Sequence, residues 1–219
     1  MVNKPQDWMV NLESEVEMGP GDWPHFFKTN KDKVFFGKIS EKIFTYKELE
    51  NLINLKPICY INRFYPTIKT EPTLLLKYFW DKESFWGMSN IQKMIKESTC
   101  YITESSRANK KLNNIAKWLE DTFDKPADCH IYFSLHKTKN KSHDKHKDKH
   151  HNLIAVSEGT MAIEVENHNK TLKPGDFAWV PAGIYHRIVP ISEKRISCSF
   201  PVAVNFRSNE YDTREWIEI

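Results

Sequence analysis

The second half of the chain alternates short apolar runs with turn residues at close spacing. From Asp128 onward, the runs typical of β-strands are CHIYFSL, HHNLIAV, MAIEVE, DFAWVPA, YHRIVPI and RISCSFPVAV. Turn-forming residues separate these runs at Glu158 and Gly159, Asn167–Asn169, Pro174 and Gly175, and Pro181–Gly183. Short strands with regular turns predict a β-sandwich or a β-barrel.

The first half shows helical patterns in several places. FTYKELENLIN carries Thr45 three residues before Glu48, a capping box that predicts a helix over 46–54. SSRANKKLNNIAKWLEDTF predicts a second helix, because its apolar residues recur on one face. EPTLLLKYFWDKESFW and SNIQKMIKES are also expected to be helical. KVFFGKIS and PICYINRFYP are interpreted as strands, and residues 1–33 as an irregular polar arm.

These patterns divide the chain into two portions that pack as one unit. Residues 1–127 form an α-rich supporting portion, and residues 128–219 form a β-barrel core. The 219 residues, of which 40% are hydrophobic, are enough for one sizeable core.

Charge and cysteine content narrow the class of protein. The net charge of +3 is too small for a binder that neutralises many phosphates, so the sequence argues against a nucleic-acid partner. The sequence contains no run of about 18 apolar residues, so no membrane span is predicted. Cys59, Cys100, Cys129 and Cys198 are far apart and form no CxxC motif. We therefore expect a cytoplasmic protein with reduced thiols.

The stretch GDFAWVPAGIYH, from Gly175 to His186, contains the most specific motif. It has a glycine, five residues, Pro181, one residue, Gly183, two residues and a histidine. This spacing resembles the second conserved motif of the cupin barrel. The resemblance implies an α+β, mainly β fold: a double-stranded β-helix (cupin or jelly-roll) barrel with the α-rich N-terminal half packed on it. It also implies that His186 is a metal ligand.

Further metal ligands are expected in KSHDKHKDKHHN, Lys141 to Asn152. If HKDKHHN begins a strand, His146 and Asp148 point the same way, because strand residues alternate faces. Two histidines and one carboxylate leave three coordination positions open, which suits Fe(II) with a bidentate co-substrate and dioxygen. A typical first cupin motif has histidine in place of Asp148 and glutamate in place of Asn152, so the sequence favours a three-ligand site.

The order of these motifs resembles the JmjC-type, ribosomal-oxygenase-like branch of the Fe(II)- and 2-oxoglutarate-dependent oxygenases. In that branch His-x-Asp stands thirteen residues before a glycine, and His146 stands thirteen before Gly159. The resemblance implies that His146, Asp148 and His186 bind Fe(II), and that the protein hydroxylates a protein side chain or a small molecule with 2-oxoglutarate. Relatives often form dimers, so a homodimer is included among the expectations.

The residues that hold 2-oxoglutarate depart from that branch. His130 replaces the usual asparagine, and Met161 replaces the usual lysine or arginine that pairs with the distal carboxylate. Arg195 and Ser197 are similar to the Arg-x-Ser motif of isopenicillin-N-synthase-like oxygenases. Two residues apart on a strand, they could grip one carboxylate together. Tyr132 is a further candidate for the same carboxylate.

Several alternatives remain open at this point. His150 could replace Asp148 as a ligand or line the substrate pocket, and the lysines between Lys137 and Lys149 could form a solvated loop or attract an anionic substrate. Met161 keeps open a metal-dependent cupin dioxygenase or isomerase that does not use 2-oxoglutarate. A non-catalytic cupin-like binding protein is the third possibility.

Overall fold

The computed structural model describes residues 9–12, 23–39, 42–54, 59–62, 99–102, 105–135, 145–166 and 168–203. The helices in these ranges are α1 (Trp23–Thr29), α2 (Tyr46–Asn54) and α3 (Lys110–Phe123). The strands are β1 (Met9–Leu12), β2 (Phe35–Ile39), β3 (Cys59–Asn62), β4 (Thr99–Ile102), β5 (His130–Leu135), β6 (His151–Glu158), β7 (Met161–Val165), β8 (His168–Leu172), β9 (Asp176–Val180), β10 (His186–Pro190) and β11 (Lys194–Val202). The helices predicted over 71–86 and 89–98 lie outside the described residues.

Two antiparallel sheets form the β-rich core. Within the described residues, the larger sheet has the order β1-β2-β9-β6-β11-β5-β4-β3, and the smaller sheet has the order β10-β7-β8. Apolar side chains from both sheets pack together between them, including Ile154 and Val156 of β6 and Met161 and Ile163 of β7. The larger sheet takes strands from both sides of the predicted boundary at residue 128, and the division into 1–127 and 128–219 stays a prediction.

A second apolar cluster covers the outer face of the larger sheet. The ring of Phe27 in α1 lies 5.0 Å from that of Trp118 in α3 and 5.2 Å from that of Trp179 in β9. Phe177 and Trp179 are fully buried, which confirms their interpretation as core residues. The helices of the N-terminal half therefore pack against the outside of the barrel and leave its interior to other side chains.

Helix α2 begins after Thr45, as its capping box predicts, and α3 begins at Lys110, within the segment predicted from its apolar face. The backbone N–H of Thr45 donates to Glu48 Oε2 at 2.7 Å, and the N–H of Glu48 donates to Thr45 Oγ1 at 3.2 Å, which completes the capping box. In α3 the side chain of Asn109 accepts a hydrogen bond from the N–H of Leu112 at 2.8 Å. The predicted apolar face of α3 is buried through Leu112, Ile115 and Leu119.

Three sequence interpretations differ from the structure. The segment 1–33 contains α1 and β1 rather than only an irregular arm, because the aromatic residues of α1 pack into the outer cluster. The predicted turn Asn167–Asn169 overlaps β8, whose edge position leaves only Leu172 buried and so hides the alternation that marks a strand. Strand β6 begins at His151, so HKDKH is not the start of a strand.

Gly159 occupies the hairpin between β6 and β7 and, of the three glycines with positive φ in the described residues, has the least room for a larger side chain. Its φ is 74°, and a Cβ atom there would collide with the carbonyl oxygen of Lys194. We expect Gly159→Ala to lower the free energy of unfolding by about 3 kcal/mol. Denaturant titration measures this loss.

Gly183→Ala is the matched control, because Gly183 has a φ of 78° but no atom within 4 Å of the place that a Cβ would occupy. The cost there is the strained backbone alone, about 1 kcal/mol. Equal losses at the two glycines would contradict the role assigned to the Lys194 contact.

Candidate active site

Backbone hydrogen bonds join two segments that lie forty residues apart in the sequence. The N–H of His146 donates to the carbonyl oxygen of His186 at 3.0 Å, and the N–H of His186 donates to that of His146 at 2.8 Å. The N–H of Gly183 donates to the carbonyl oxygen of Asp148 at 2.8 Å. The segment before β6 is therefore fixed against β10 and the turn that precedes it.

That turn, Pro181–Ile184, has the geometry its sequence predicts. The N–H of Ile184 donates to the carbonyl oxygen of Pro181 at 3.3 Å, and the positive φ of Gly183 fits the third residue of a type II turn. The N–H of Ala182 donates to Nδ1 of His151 at 3.2 Å, which ties the turn to β6. The turn consequently presents His186 opposite His146.

The side chains of His146, Asp148 and His186 form a group that could hold a metal ion. Their candidate ligand atoms all lie within 4.8 Å of one another. His146 Nε2 lies 3.8 Å from Asp148 Oδ1, and His186 Nε2 lies 3.5 Å from Asp148 Oδ2. Two donors each about 2.1 Å from one ion lie between about 3 and 4.2 Å apart, so these distances fit a shared ion.

His186 is held in the form that a metal requires. Its Nδ1 lies 3.2 Å from the carbonyl oxygen of Ile184, which can only accept a hydrogen bond. In neutral imidazole the proton then sits on Nδ1, and Nε2 keeps its lone pair. Burial lowers the pKa of His186, against the opposing effect of the Asp148 carboxylate. The ring is therefore neutral at neutral pH.

Asp148 is anchored by polar neighbours inside the barrel. Nδ2 of Asn152 donates to Asp148 Oδ2 at 3.1 Å. The hydroxyl of Ser199 in turn donates to Asn152 Oδ1 at 2.6 Å. Asp148 does not lie in a strand, so its orientation comes from these contacts and from Gly183 rather than from the strand alternation expected of HKDKHHN.

A cavity of about 50 Å³ extends from this group into the barrel interior. It can hold several water molecules or a small organic acid. Its lining is mostly polar, and Ile154 and Ile188 supply the apolar part. The lining residues besides the three candidate ligands are Thr99, Tyr132, Asn152, Ile154, Ile188, Arg195, Ser197 and Ser199.

Arg195 is the unusual member of this lining. Its side chain is buried, with the residue only 1% exposed, so it is not a solvated surface arginine. Nε and Nη2 have no hydrogen-bond partner among the described residues, and Nη1 lies 3.9 Å from the sulfur of Met161. Burial lowers the pKa of Arg195 to about 10, which still leaves the guanidinium charged at neutral pH. A buried cation with unpaired donors has the chemistry to bind an anion.

Of the other residues predicted from the sequence, two line the cavity and two do not. Ser197 and Tyr132 line the cavity, and the ring of Tyr132 stacks on Tyr101 at 5.1 Å. His150 belongs neither to the candidate metal group of the described residues nor to the cavity lining. His130 is buried beside this region rather than in the lining. Of the lysine-rich segment, residues 136–144 lie outside the described ranges.

Sequence reasoning missed the hydrogen-bonding role of Asn152 and Ser199. Asn152 drew notice only because it replaces the usual cupin glutamate. Ser199 could have been found from alternation in β11, since residues 195, 197 and 199 share a face. The roles of all these residues in binding metal or co-substrate stay predictions.

Comparison with known proteins agrees with this fold. The family model described as Cupin domain matches residues 135–200. No significant match was found among curated proteins. The predicted cupin barrel is confirmed by the family match and by the mainly antiparallel sheets. Among the described helices, none is long and apolar enough to cross a membrane.

Solved structures of the ribosomal oxygenase YcfD from Escherichia coli share this architecture. One aligns with a TM-score of 0.61 at 15% identity, covering 95% of this chain and 55% of that one. A complex with cobalt and 2-oxoglutarate gives 0.58 at 13%, covering 94% and 55%. A complex with cobalt and succinic acid gives 0.58 at 12%, covering 90% and 54%. This chain therefore spans just over half the length of that enzyme.

The burial of His130 generates a prediction about pH. Burial lowers the pKa of His130 to about 4, below its ordinary value near 6.5. As pH falls below about 6.5 the unfolded chain takes up this proton first, so stability is lost progressively down to about pH 4. The loss is about 3 kcal/mol, and denaturant titration of metal-free protein between pH 7 and 4 measures it.

His130→Gln should remove this part of the pH dependence, whereas the exposed His168→Gln should retain it. A His130→Gln protein with the same loss of stability as wild type would contradict the assignment.

Proposed function

We propose that the protein is an Fe(II)- and 2-oxoglutarate-dependent oxygenase of the JmjC, ribosomal-oxygenase-like branch, which hydroxylates a C–H bond of its substrate. One observation carries this proposal. The buried guanidinium of Arg195, whose Nε and Nη2 have no partner among the described residues, lines the same cavity as His146, Asp148 and His186. A metal-binding end and an anion-binding end within one small cavity fit a short dicarboxylate.

The three candidate ligands suit iron. Two imidazoles and one carboxylate with open positions form the facial triad typical of non-haem Fe(II) oxygenases, whereas a structural zinc site is closed by four protein ligands. Iron and 2-oxoglutarate, when bound, would supply the oxidising power for C–H hydroxylation, with succinate and CO₂ as the products of the co-substrate. Asp148 would supply the negative charge that partly balances the ion.

Arg195 and Ser197 would hold the distal carboxylate of 2-oxoglutarate. Both line the cavity on one face of β11, where the guanidinium fork and the hydroxyl can donate to the same anion. The cation that the branch usually carries at the position of Met161 is supplied here from β11, because Nη1 of Arg195 lies beside the Met161 sulfur. Tyr132, on the neighbouring strand β5, would contribute a further hydroxyl.

The barrel would shield the reaction while leaving one side accessible. Ile154 and Ile188 line the cavity with apolar surface that limits water. The side chain of His146 remains 21% exposed, so the candidate metal group faces an opening. Tyr185 is 52% exposed next to His186, and Nζ of Lys147 lies 5.5 Å from its ring centroid. A protein side chain or a small molecule would enter past these two residues.

The neighbouring structures support the same chemistry. YcfD was solved with cobalt and 2-oxoglutarate, and with cobalt and succinic acid, on the fold that this chain shares. We extend the proposal to a cytoplasmic location and to a homodimer, in keeping with the composition of the chain and with the resemblance to that branch.

The direct test is turnover of the co-substrate. Purified protein given Fe(II), 2-oxoglutarate and ascorbate should release succinate, which chromatography quantifies. Even without the substrate, we expect this release to occur at a low, uncoupled rate. Asp148→Ala should reduce this release at least about 100-fold, because the ion loses its only carboxylate ligand. The exposed His168→Ala controls for loss of a histidine outside the site.

The rival functions give different results in this experiment. A metal-dependent cupin enzyme without 2-oxoglutarate would bind Fe(II) through the same three residues but would neither bind 2-oxoglutarate nor release succinate. A binding protein that chelates metal loosely through its histidine-rich segment would retain metal after Asp148→Ala. Either result overturns the proposal.

Arg195→Met separates co-substrate binding from metal binding. We expect the Kd for 2-oxoglutarate to rise about 100-fold, since a buried charge-assisted hydrogen bond is lost, while Co(II) affinity is unchanged. Calorimetry with Co(II) in place of Fe(II) measures both constants. Arg107→Met, which removes an exposed arginine before α3, should leave both constants as in wild type. Unchanged 2-oxoglutarate affinity in Arg195→Met would show that another group holds the distal carboxylate.

A further inference from the structure

We propose that Asn152 and Ser199 are positioning residues that hold Asp148 as a one-oxygen metal ligand and keep a fourth protein ligand away from the ion. The inference deepens the proposed function, but it rests only on the part in which His146, Asp148 and His186 bind a metal. It does not depend on the use of 2-oxoglutarate.

A continuous hydrogen-bond chain runs from β11 to the candidate ligand. The Ser199 hydroxyl donates to Asn152 Oδ1 at 2.6 Å, and Asn152 Nδ2 donates to Asp148 Oδ2 at 3.1 Å. Asn152 is 8% exposed and Ser199 is 6% exposed. Because water has little access to these groups, each hydrogen bond strongly favours one side-chain orientation.

The chemistry of the three groups fixes the direction of this chain. A carboxylate can only accept hydrogen bonds, so the amide must turn its NH₂ group toward Asp148. The amide oxygen then faces Ser199, whose hydroxyl can donate to it. A flipped amide would place its oxygen against the carboxylate and lose that hydrogen bond, whereas the hydroxyl of Ser199 can donate or accept and would adapt to either orientation. The carboxylate therefore selects the orientation of the amide, Ser199 holds the amide in place, and Asn152 holds Asp148.

The two positioning residues are themselves carried by paired central strands. Asn152 lies in β6 opposite Val180 of β9 and Pro201 of β11, and Ser199 lies in β11 opposite Ile154 of β6. Asp148 lies before β6, where no strand pairing orients it. The rigid sheet thus fixes, through Asn152 and Ser199, the position of a carboxylate that lies on an irregular segment.

This arrangement also explains what asparagine does in place of glutamate. An amide NH₂ group has no free electron pair for a metal, and here it faces Asp148, so Asn152 cannot serve as a ligand in this orientation. The amide donates to Oδ2, the oxygen that lies 3.5 Å from His186 Nε2, so Oδ1, which lies 3.8 Å from His146 Nε2, is the oxygen free of this hydrogen bond and is the one we assign to the ion. His146, Asp148 and His186 would then hold a metal ion as three protein ligands and leave positions open for exchangeable ligands.

The experiment measures Co(II) binding by calorimetry and by the visible absorption of the bound ion, which depends on coordination number. Asn152→Leu keeps the side-chain volume but removes both hydrogen bonds, and should weaken Co(II) binding about 10- to 100-fold. Ser199→Ala should weaken it by a smaller factor, and Ser199→Thr, which keeps the hydroxyl, should restore it. Both weakened variants should show an altered absorption spectrum.

The double variant tests whether the two residues act in series. Because Ser199 acts through Asn152, Asn152→Leu with Ser199→Ala should bind Co(II) no more weakly than Asn152→Leu alone. Ser134→Ala is the matched control, since Ser134 is a buried serine on the neighbouring strand β5 whose hydroxyl has no partner among the described residues. Its Co(II) affinity and spectrum should equal those of wild type.

Wild-type affinity and an unchanged spectrum in Asn152→Leu would overturn the inference, as would additive losses in the double variant. If Asn152→Leu does not fold, as thermal unfolding of the metal-free protein would reveal, Ser199→Ala and Ser199→Thr decide by the same readouts. Wild-type protein that binds Co(II) but releases no succinate overturns the proposed oxygenase activity and leaves this inference standing. Wild-type protein that binds no Co(II) overturns both.

Discussion

The mutual backbone pairing of His146 and His186 is the interaction on which the site depends. It joins an irregular segment before β6 to the first residue of β10 through two hydrogen bonds. The pairing requires the type II turn that precedes His186, and that turn requires the positive φ of Gly183. The backbone geometry of this turn thus places two imidazoles and a carboxylate close enough together to bind one ion.

The barrel separates packing from chemistry by the alternation of its strands. In β11, Ile196 and Cys198 join the outer apolar cluster that the helices cover, whereas Arg195, Ser197 and Ser199 face the cavity. The outer cluster can therefore hold the larger sheet rigid without any contribution from the polar face. Such rigidity matters because metal ligands and their hydrogen-bonding partners must keep their geometry before the ion arrives.

The cost of burying Arg195 is the observation that most favours the proposed ligand in the barrel interior. Nε and Nη2 lack partners among the described residues, so desolvation of the guanidinium is not compensated within that part of the chain. A carboxylate that enters the cavity would supply the missing acceptors, and the low polarity around Met161 would strengthen the attraction. The free energy spent on burying the unpaired guanidinium would then be recovered when the anion binds.

The sequence by itself determined the barrel, the helices α2 and α3, and the turn before His186, because these depend on local signals: alternation, capping residues and the Pro-x-Gly spacing. Its spacing, compared with that of a similar family, also predicted that His146, Asp148 and His186 lie together as metal ligands, and the structure brings their side chains together. The sequence pattern wrongly extended β6 back to His146 and missed β8, since a polar edge strand and an irregular loop leave no distinct pattern. Only the tertiary structure decided that Arg195 is buried beside Met161 and that Ser199 reaches Asp148 through Asn152. Those relations join strands distant in sequence, and no local pattern encodes which side chains meet across a barrel.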